Sequence, residues 1–201
     1  MLFPPGAPCG PPAAMKAVFL GQDGTLLDAL PGGVGARRMS LCAGAGAALR
    51  LLARLGFHLF VVGEQSGIAF GRCSESAVDV LAERMRALLE RERLRLDGFY
   101  YCPHHPDGSV AAYACDCHCR MPMPGLLLKA AHEHGIDLRA SWMIGDLLHG
   151  VEAGNRAGCR TILLDQGKES EWRLGPRRMP TRMAPDLYTA AVLIASHAEA
   201  R

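Results

Sequence analysis

The chain has 201 residues, 49% of them apolar and 21% charged, with a formal net charge of +2. That is one domain by size, long enough to bury a sizeable core. The near-neutral balance lacks the basic surface that nucleic acid or an anionic membrane would call for, and no apolar run approaches the ~20 residues of a membrane span.

The first fourteen residues, MLFPPGAPCGPPAA, hold five prolines. Without a basic n-region or a continuous apolar stretch they do not form a signal peptide. We expect a disordered tail over 1–15, with Met15 as a second candidate start, and an α/β domain over 16–201. A chain without an export signal is expected in the cytoplasm, where its eight cysteines stay reduced or bind metal.

From residue 17 onward, apolar runs alternate with helical patterns, the signature of a parallel sheet wrapped by helices. AVFL (17–20) reads as a short buried strand, and GAALRLLARLG (46–56) as a helix stopped by Gly56. FHLFVV (57–62) is a second strand. A helix is expected from Ser74 to about Leu94, with Ser74 or the neighbouring Ser76 as its N-cap and Val78, Leu81, Met85 and Leu88 on one face. GFYY (98–101) is a strand that runs into a loop dense in Cys and His. Beyond it come a helix (125–135), a strand SWMIG (141–145), a short helix (150–158) and a strand TILL (161–164). The basic, Pro/Arg-rich stretch 167–185 is expected as a surface loop before a final helix from Asp186. The whole reads as a single doubly wound α/β domain with ligand chemistry at the C-terminal strand ends.

The loop at 102–119 carries the most specific signal. CPHH (102–105) is followed by CDCHC (115–119), and a Cys-x-His pair with a later Cys-x-Cys pair supplies four ligands of the type tetrahedral zinc takes. Cys102, His104, Cys117 and Cys119 are the chosen set, with Cys115, His105 and His118 as spares. Four protein ligands leave no open position, so the zinc would be structural.

Beside that loop stand GQDGT (21–25), VVGEQSGIAFG (61–71), CRMPMPG (119–125) and MIGD (143–146). Together, in this order and spacing, they resemble the D-glycero-D-manno-heptose-1,7-bisphosphate phosphatases over roughly Lys16 to Leu164. These are zinc-loop members, of histidinol-phosphatase type, of the haloacid dehalogenase (HAD) superfamily. The resemblance implies a Rossmann-like HAD fold with a minimal cap, and it favours Cys117 and Cys119 as the second zinc pair because that pair directly precedes Arg120. It also implies magnesium-dependent removal of the 7-phosphate of a heptose bisphosphate, on the path to activated heptose for surface polysaccharide.

The same resemblance locates several departures. The nucleophilic aspartate of the family, two residues before Asp23, is Gly21, while Asp23 itself matches the acid/base. The phosphoryl-holding threonine is Gly63 and the next residue is Glu64. Gln65, Ser66 and Arg120 match substrate-binding positions, but an arginine is replaced by Phe70 and the charge-neutralising lysine by Met121. Asp146 matches a magnesium ligand, whereas the next lysine is Leu147 and a second aspartate is Gly150. Covalent phosphoryl transfer needs the attacking carboxylate. The pattern therefore implies a pseudophosphatase with poor magnesium binding, acting by holding a sugar phosphate or a partner enzyme of the same pathway. The alternatives are a working phosphatase rearranged around Asp23, Glu64 and Asp146, and a purely structural subunit. Outside the resemblance, Asp23 also suits the turn before Gly24, and Asp146 suits the N-cap of the following helix.

Overall fold

A computed structural model describes residues 14–28, 39–167 and 175–199. Six parallel strands form one sheet in the order β3-β2-β1-β4-β5-β6. The strands are β1 (Ala17–Gly21), β2 (His58–Glu64), β3 (Gly98–Cys102), β4 (Trp142–Gly145), β5 (Arg160–Leu164) and β6 (Arg182–Ala184). The helices between them are α1 (Ala45–Arg54), α2 (Glu75–Arg91), α3 (Gly125–His134), α4 (Leu148–Ala157) and α5 (Leu187–Glu199).

β1 is central and buried on both faces, which is why it reads as an uninterrupted apolar run. Its side chains alternate between two cores. Val18 and Leu20 join Leu49 and Leu52 of α1, Met85 and Leu89 of α2, and Ala190 and Ile194 of α5. Ala17 and Phe19 join Phe60, Met143 and the α3 residues Leu126, Leu127 and Ala130 on the opposite face. Helix α4 packs on this second side of the sheet by a close approach at Gly154, where a Cβ would lie 2.6 Å from Met143 Cβ and 2.7 Å from Thr161 Cγ2. Strand order runs outward from β1 through β2 to β3 in one direction, and from β4 through β5 to β6 in the other. The switch point lies between β1 and β4, and crevices in such sheets open beyond the carboxyl ends of the strands that flank it.

The expected strands and helices are present with small shifts. Ser74 caps α2, accepting a hydrogen bond from the Ala77 N–H at 3.3 Å. The buried face of α2 is Val78, Leu81, Ala82, Met85 and Leu89, and Leu88, expected on that face, is half-buried and packs against the same core. The helix stops at Arg91 rather than Leu94, because Arg93 turns left-handed (φ 57°) and drops Leu94 into the core. The expected loop 167–185 contains β6, paired to β5 through Ile162–Arg182 to Leu164–Ala184. Residues 168–174 of that loop lie outside the described residues, as do residues 1–13 of the expected tail. Met15, counted with the tail, is tied to the domain: its carbonyl accepts from the Asp137 N–H at 2.8 Å and it bridges to Ile136. Among the described residues no helix is long and apolar enough to cross a membrane.

Candidate functional site

Two sites meet beside the switch point. The first is the Cys/His loop. Cys102 ends β3, and the loop brings Cys117 and Cys119 back over it. Cys102 Sγ lies 3.5 Å from Cys117 Sγ and 3.1 Å from Cys119 Sγ. His104 Nδ1 lies 3.6 Å from Cys102 Sγ and 3.3 Å from Cys119 Sγ. All four ligand atoms fall within 4.8 Å of one another, the one such cluster among the described residues. Sulfurs ~2.3 Å from a tetrahedral zinc are separated by about 3.8 Å, so the four atoms already surround a point where a metal ion fits. Burial pushes the Cys102 thiol up, and its contact with Cys119 adds to that. At Cys117, burial is outweighed by hydrogen bonds from Cys119, the Arg120 N–H and Cys102, which hold that thiol below its ordinary value. Three sulfurs packed this closely suit a shared cation better than three separate protons. Cys115 is exposed and outside the cluster.

The second site is a cavity of about 210 Å³ beyond the ends of β1, β2 and β4. Gly21, Gly63, Gly145 and Gly150 form its floor and walls together with Val62, Met121, Met143 and Leu147. Its polar lining is Gln22, Asp23, Glu64, Asp146 and His149. Gly21 closes β1 at the position the resemblance gives to the nucleophile. A Cβ there would lie 3.0 Å from Thr25 Oγ1 and 3.7 Å from Gly145 Cα. Thr25 is 0% exposed, and its Oγ1 has no hydrogen-bond partner. A Cβ on Gly63 would rest against Gln22 at 3.4 Å, so a threonine's bulk would fit at that position too.

The matched substrate-binding residues are brought together, but they hold one another. Gln65 is buried and donates from Nε2 to Gln22 Oε1 at 2.8 Å. Arg120 Nη1 sits 2.7 Å from Glu64 Oε2, donates to Ser66 Oγ at 2.7 Å and reaches the His104 carbonyl at 3.3 Å. The Arg120 N–H also donates to Cys117 Sγ at 3.3 Å. The guanidinium that would grip an anion is thus occupied by a carboxylate and pinned to the Cys/His loop. Phe70, where the resemblance places an arginine, packs against His105 with ring centroids 4.8 Å apart and the ring planes tilted by 48°.

Asp23 is exposed on a turn in which Gly24 takes a left-handed φ of 72°, and it accepts from Gln22 Nε2 at 3.3 Å. Asp146 lines the cavity, but α4 is capped by the Leu147 position without a side-chain hydrogen bond. The N-cap reading of Asp146 is corrected accordingly: its neighbour holds that place with an extended backbone. Among the described residues Asp23, Glu64 and Asp146 do not converge on a common point as the Cys/His ligands do. Sequence reasoning passed over Gln22, Thr25 and His149. Gln22 sits inside the GQDGT motif and was open to notice, whereas the burial of Thr25 and the direction of His149 leave no mark in the sequence.

Comparison with known proteins follows the same lines. The HAD-hydrolase-like family model matches residues 118–190. The D-glycero-β-D-manno-heptose-1,7-bisphosphate 7-phosphatase of Yersinia pestis is 45% identical over 122 residues, 60% of this chain. That match spans 65% of the relative's own length. The enzyme of the same name from Salmonella typhi is 37% identical over 165 residues, covering 77% of this chain and 83% of the relative. Among solved structures, D,D-heptose 1,7-bisphosphate phosphatase from B. bronchiseptica, complexed with magnesium and phosphate, superposes with a TM-score of 0.73 at 25% identity. That likeness covers 91% of this chain and 99% of the other.

Proposed function

The chain belongs to the D-glycero-β-D-manno-heptose-1,7-bisphosphate 7-phosphatase family, and from that premise we propose that it is a member that no longer hydrolyses phosphate esters and acts by binding. The observation that carries this reading is Gly21 at the end of β1. The chemistry of the resemblance needs a carboxylate there to attack phosphorus and split one hard displacement into two easier ones. Loss of a covalent nucleophile costs on the order of 10⁶ in turnover by the subtilisin precedent.

The remaining cavity offers little compensation. Asp23 would have to serve as nucleophile and acid at once from an exposed turn. Glu64 is engaged by Arg120 at 2.7 Å. The place of a charge-neutralising lysine is held by Met121, packed against the α3 core, and one such loss costs about 10²–10³ where losses are independent. Magnesium prefers carboxylates in near-octahedral geometry together with substrate phosphate; with Gly21 in place one of those carboxylates is missing, so affinity weaker than millimolar is expected. Zinc is the metal we assign to Cys102, His104, Cys117 and Cys119, as a structural ion that would fix the loop and hold Arg120 in place. The binding role is directed at a ligand or a partner enzyme in the pathway of its relatives. Retention of the heptose bisphosphate itself is disfavoured because Glu64 already pairs with Arg120 Nη1 at 2.7 Å.

Incubating the zinc-loaded protein with heptose bisphosphate and magnesium, and following released phosphate, tests the reading. Background release is expected. A rate within about a hundredfold of a typical ~10 s⁻¹ would restore the working enzyme rearranged around Asp23, Glu64 and Asp146.

A further inference from the structure

The two edges of the sheet are built differently. β6 closes one side with three residues, an exposed Arg182 among them, between Pro180 and Pro185. Short strands, charge and proline are the devices that keep a sheet edge from pairing with another chain. β3 closes the other side and has none of them. Its five residues, GFYYC, hold no charge and no proline. They pair with β2 without a break from Phe60–Gly98 to Glu64–Cys102, and among the described residues no strand lies beyond them. Such an edge turns a row of unpaired N–H and C=O groups outward.

The strand is also held in place. Phe99 packs into the core under α1 and α2, and Tyr100 into the core under α3. Phe99 and Tyr101 stack with ring centroids 5.7 Å apart, and Cys102 sits in the sulfur cluster. An incoming strand meets a template that is already ordered, which lowers the entropic cost of docking.

What stands beside the edge selects the occupant. Helix α2 packs on the same side of the sheet as Phe99. Glu75, Asp79, Glu83 and Glu90, all exposed, follow one another at steps of four and seven along one flank of α2. Arg86 pairs with Glu83, which leaves the flank negative. That flank is turned toward β3: burial pushes the Tyr101 phenol up, and the charges of Glu75 and Asp79 push it further. A second copy joined edge to edge would set two such flanks side by side, like charge against like. A basic segment complements them. Because α2 covers one face of the sheet, every second side chain of an added strand would meet the acids.

We propose that the β3 edge is a docking site for an extended basic segment of another protein, added as one more strand with Lys or Arg at alternate positions toward α2. Main-chain hydrogen bonds supply the affinity, and the acidic flank supplies the choice of side chains. No β3 residue lines the cavity, so this site is separate from the centre at Gly21 and stands whether or not that centre hydrolyses phosphate esters.

Amide NMR and calorimetry on the zinc-loaded full chain test it with three capped peptides. They are Thr-Lys-Val-Arg-Val-Lys-Thr, its acidic counterpart Thr-Glu-Val-Glu-Val-Glu-Thr, and Thr-Lys-Pro-Arg-Pro-Lys-Thr, equal in charge to the first but without two of its N–H donors. The first should shift the amides of residues 98–102 and slow their hydrogen exchange, with a Kd below about a millimolar at low salt. The proline peptide should bind at least about tenfold more weakly, since it forms no ladder, and the acidic peptide should not bind. Glu75→Gln combined with Asp79→Asn changes only exposed positions and spares the fold. It should weaken the first peptide about three- to tenfold, the effect of two exposed ion pairs. No shift at about 10 mM peptide, equal binding of the proline peptide, or shifts that bypass residues 98–102 would overturn the proposal. So would sedimentation that finds a dimer with protected β3 amides, which would give the edge to a second copy.

Discussion

Gly21 sits where the sheet places its most exposed chemistry, and what surrounds it says how deeply the site has changed. Its backbone is not in the left-handed region, and a Cβ would meet only the Thr25 hydroxyl closely, at 3.0 Å. Gly21→Asp should therefore fold, and its carboxylate would give the Thr25 hydroxyl an acceptor, a gain of roughly 1 kcal/mol. The melting temperature is expected to stay within a few degrees of the parent. Hydrolysis of heptose bisphosphate should nevertheless remain below ~1% of a typical ~10 s⁻¹, since Met121 supplies no charge and Gly63 no hydroxyl. Phosphate release from the purified variant checks it; release near the typical rate would mean that one carboxylate was all that was missing. This is the scale at which the sequence was most legible. The departures at Gly21, Gly63 and Met121 follow from setting the motifs beside those of the family they resemble. The Glu64–Arg120 pair does not, because it depends on the end of β2 and a loop 56 positions further along the chain meeting at 2.7 Å.

At the scale of elements, the Cys/His loop and the β6 segment teach opposite lessons. The loop declares itself through ligand spacing, because metal chemistry dictates residue types directly. Elemental analysis of protein purified without chelator should find close to one zinc per chain. Cys117→Ser should lose most of it, and Cys115→Ser should leave it unchanged. Less than about a fifth of a zinc per chain in the parent would remove the assignment.

β6 is three residues long, with Arg182 and Met183 exposed, and nothing in its composition reads as a strand. Tertiary anchoring makes it one. Thr161 and Thr181 exchange hydrogen bonds between backbone N–H and side-chain hydroxyl at 3.0 and 3.1 Å. Asn155 Nδ2 donates to the Arg177 and Met179 carbonyls at 2.8 and 3.0 Å. Glu152, 9% exposed, joins Arg156 at 2.7 Å and Arg178 at 2.8 Å. Burial pushes the Glu152 carboxyl up, but hydrogen bonds and charge from Arg178 and Arg156 outweigh it and leave it below its ordinary value. A depressed folded-state pKa contributes stability that is present above the unfolded carboxylate range (~4.3) and lost as pH falls through the folded value. Glu152→Gln should cost about 1–2 kcal/mol at pH 7, between exposed and buried pairs. That gap should close in acid, below pH ~4. Denaturant midpoints of parent and variant from pH 7 to pH 3 check this; a constant gap would mean the ion pair contributes nothing. The α2 face shows a smaller kind of miss. Val78, Leu81 and Met85 follow the expected period; a four-residue step from Met85 buries Leu89, while Leu88, at the three-residue step, is half-buried against the same core.

For the molecule as a whole, the fold class was readable because alternating apolar runs and helical periods leave few topologies for a parallel sheet. The crevice at the β1–β4 switch point followed from that order. What the crevice prefers did not follow, because it depends on which side chains face one another across loops.

Arg120 gives the assembly a further property. One arginine is fastened by its backbone to the sulfur cluster and by its side chain to the end of β2. The cluster and the cavity mouth are therefore expected to open and close as one cooperative unit, in the sense that native-state fluctuations distinguish such units. Stripping the metal should accelerate hydrogen exchange at residues 117–121 and 64–66 together, while β5 amides stay protected; acceleration confined to the loop would show the two to be uncoupled. If they move together, an ion bound by the four loop ligands governs how rigidly a neighbouring crevice presents itself to whatever it meets, and the lifetime of the metal becomes the lifetime of the binding surface.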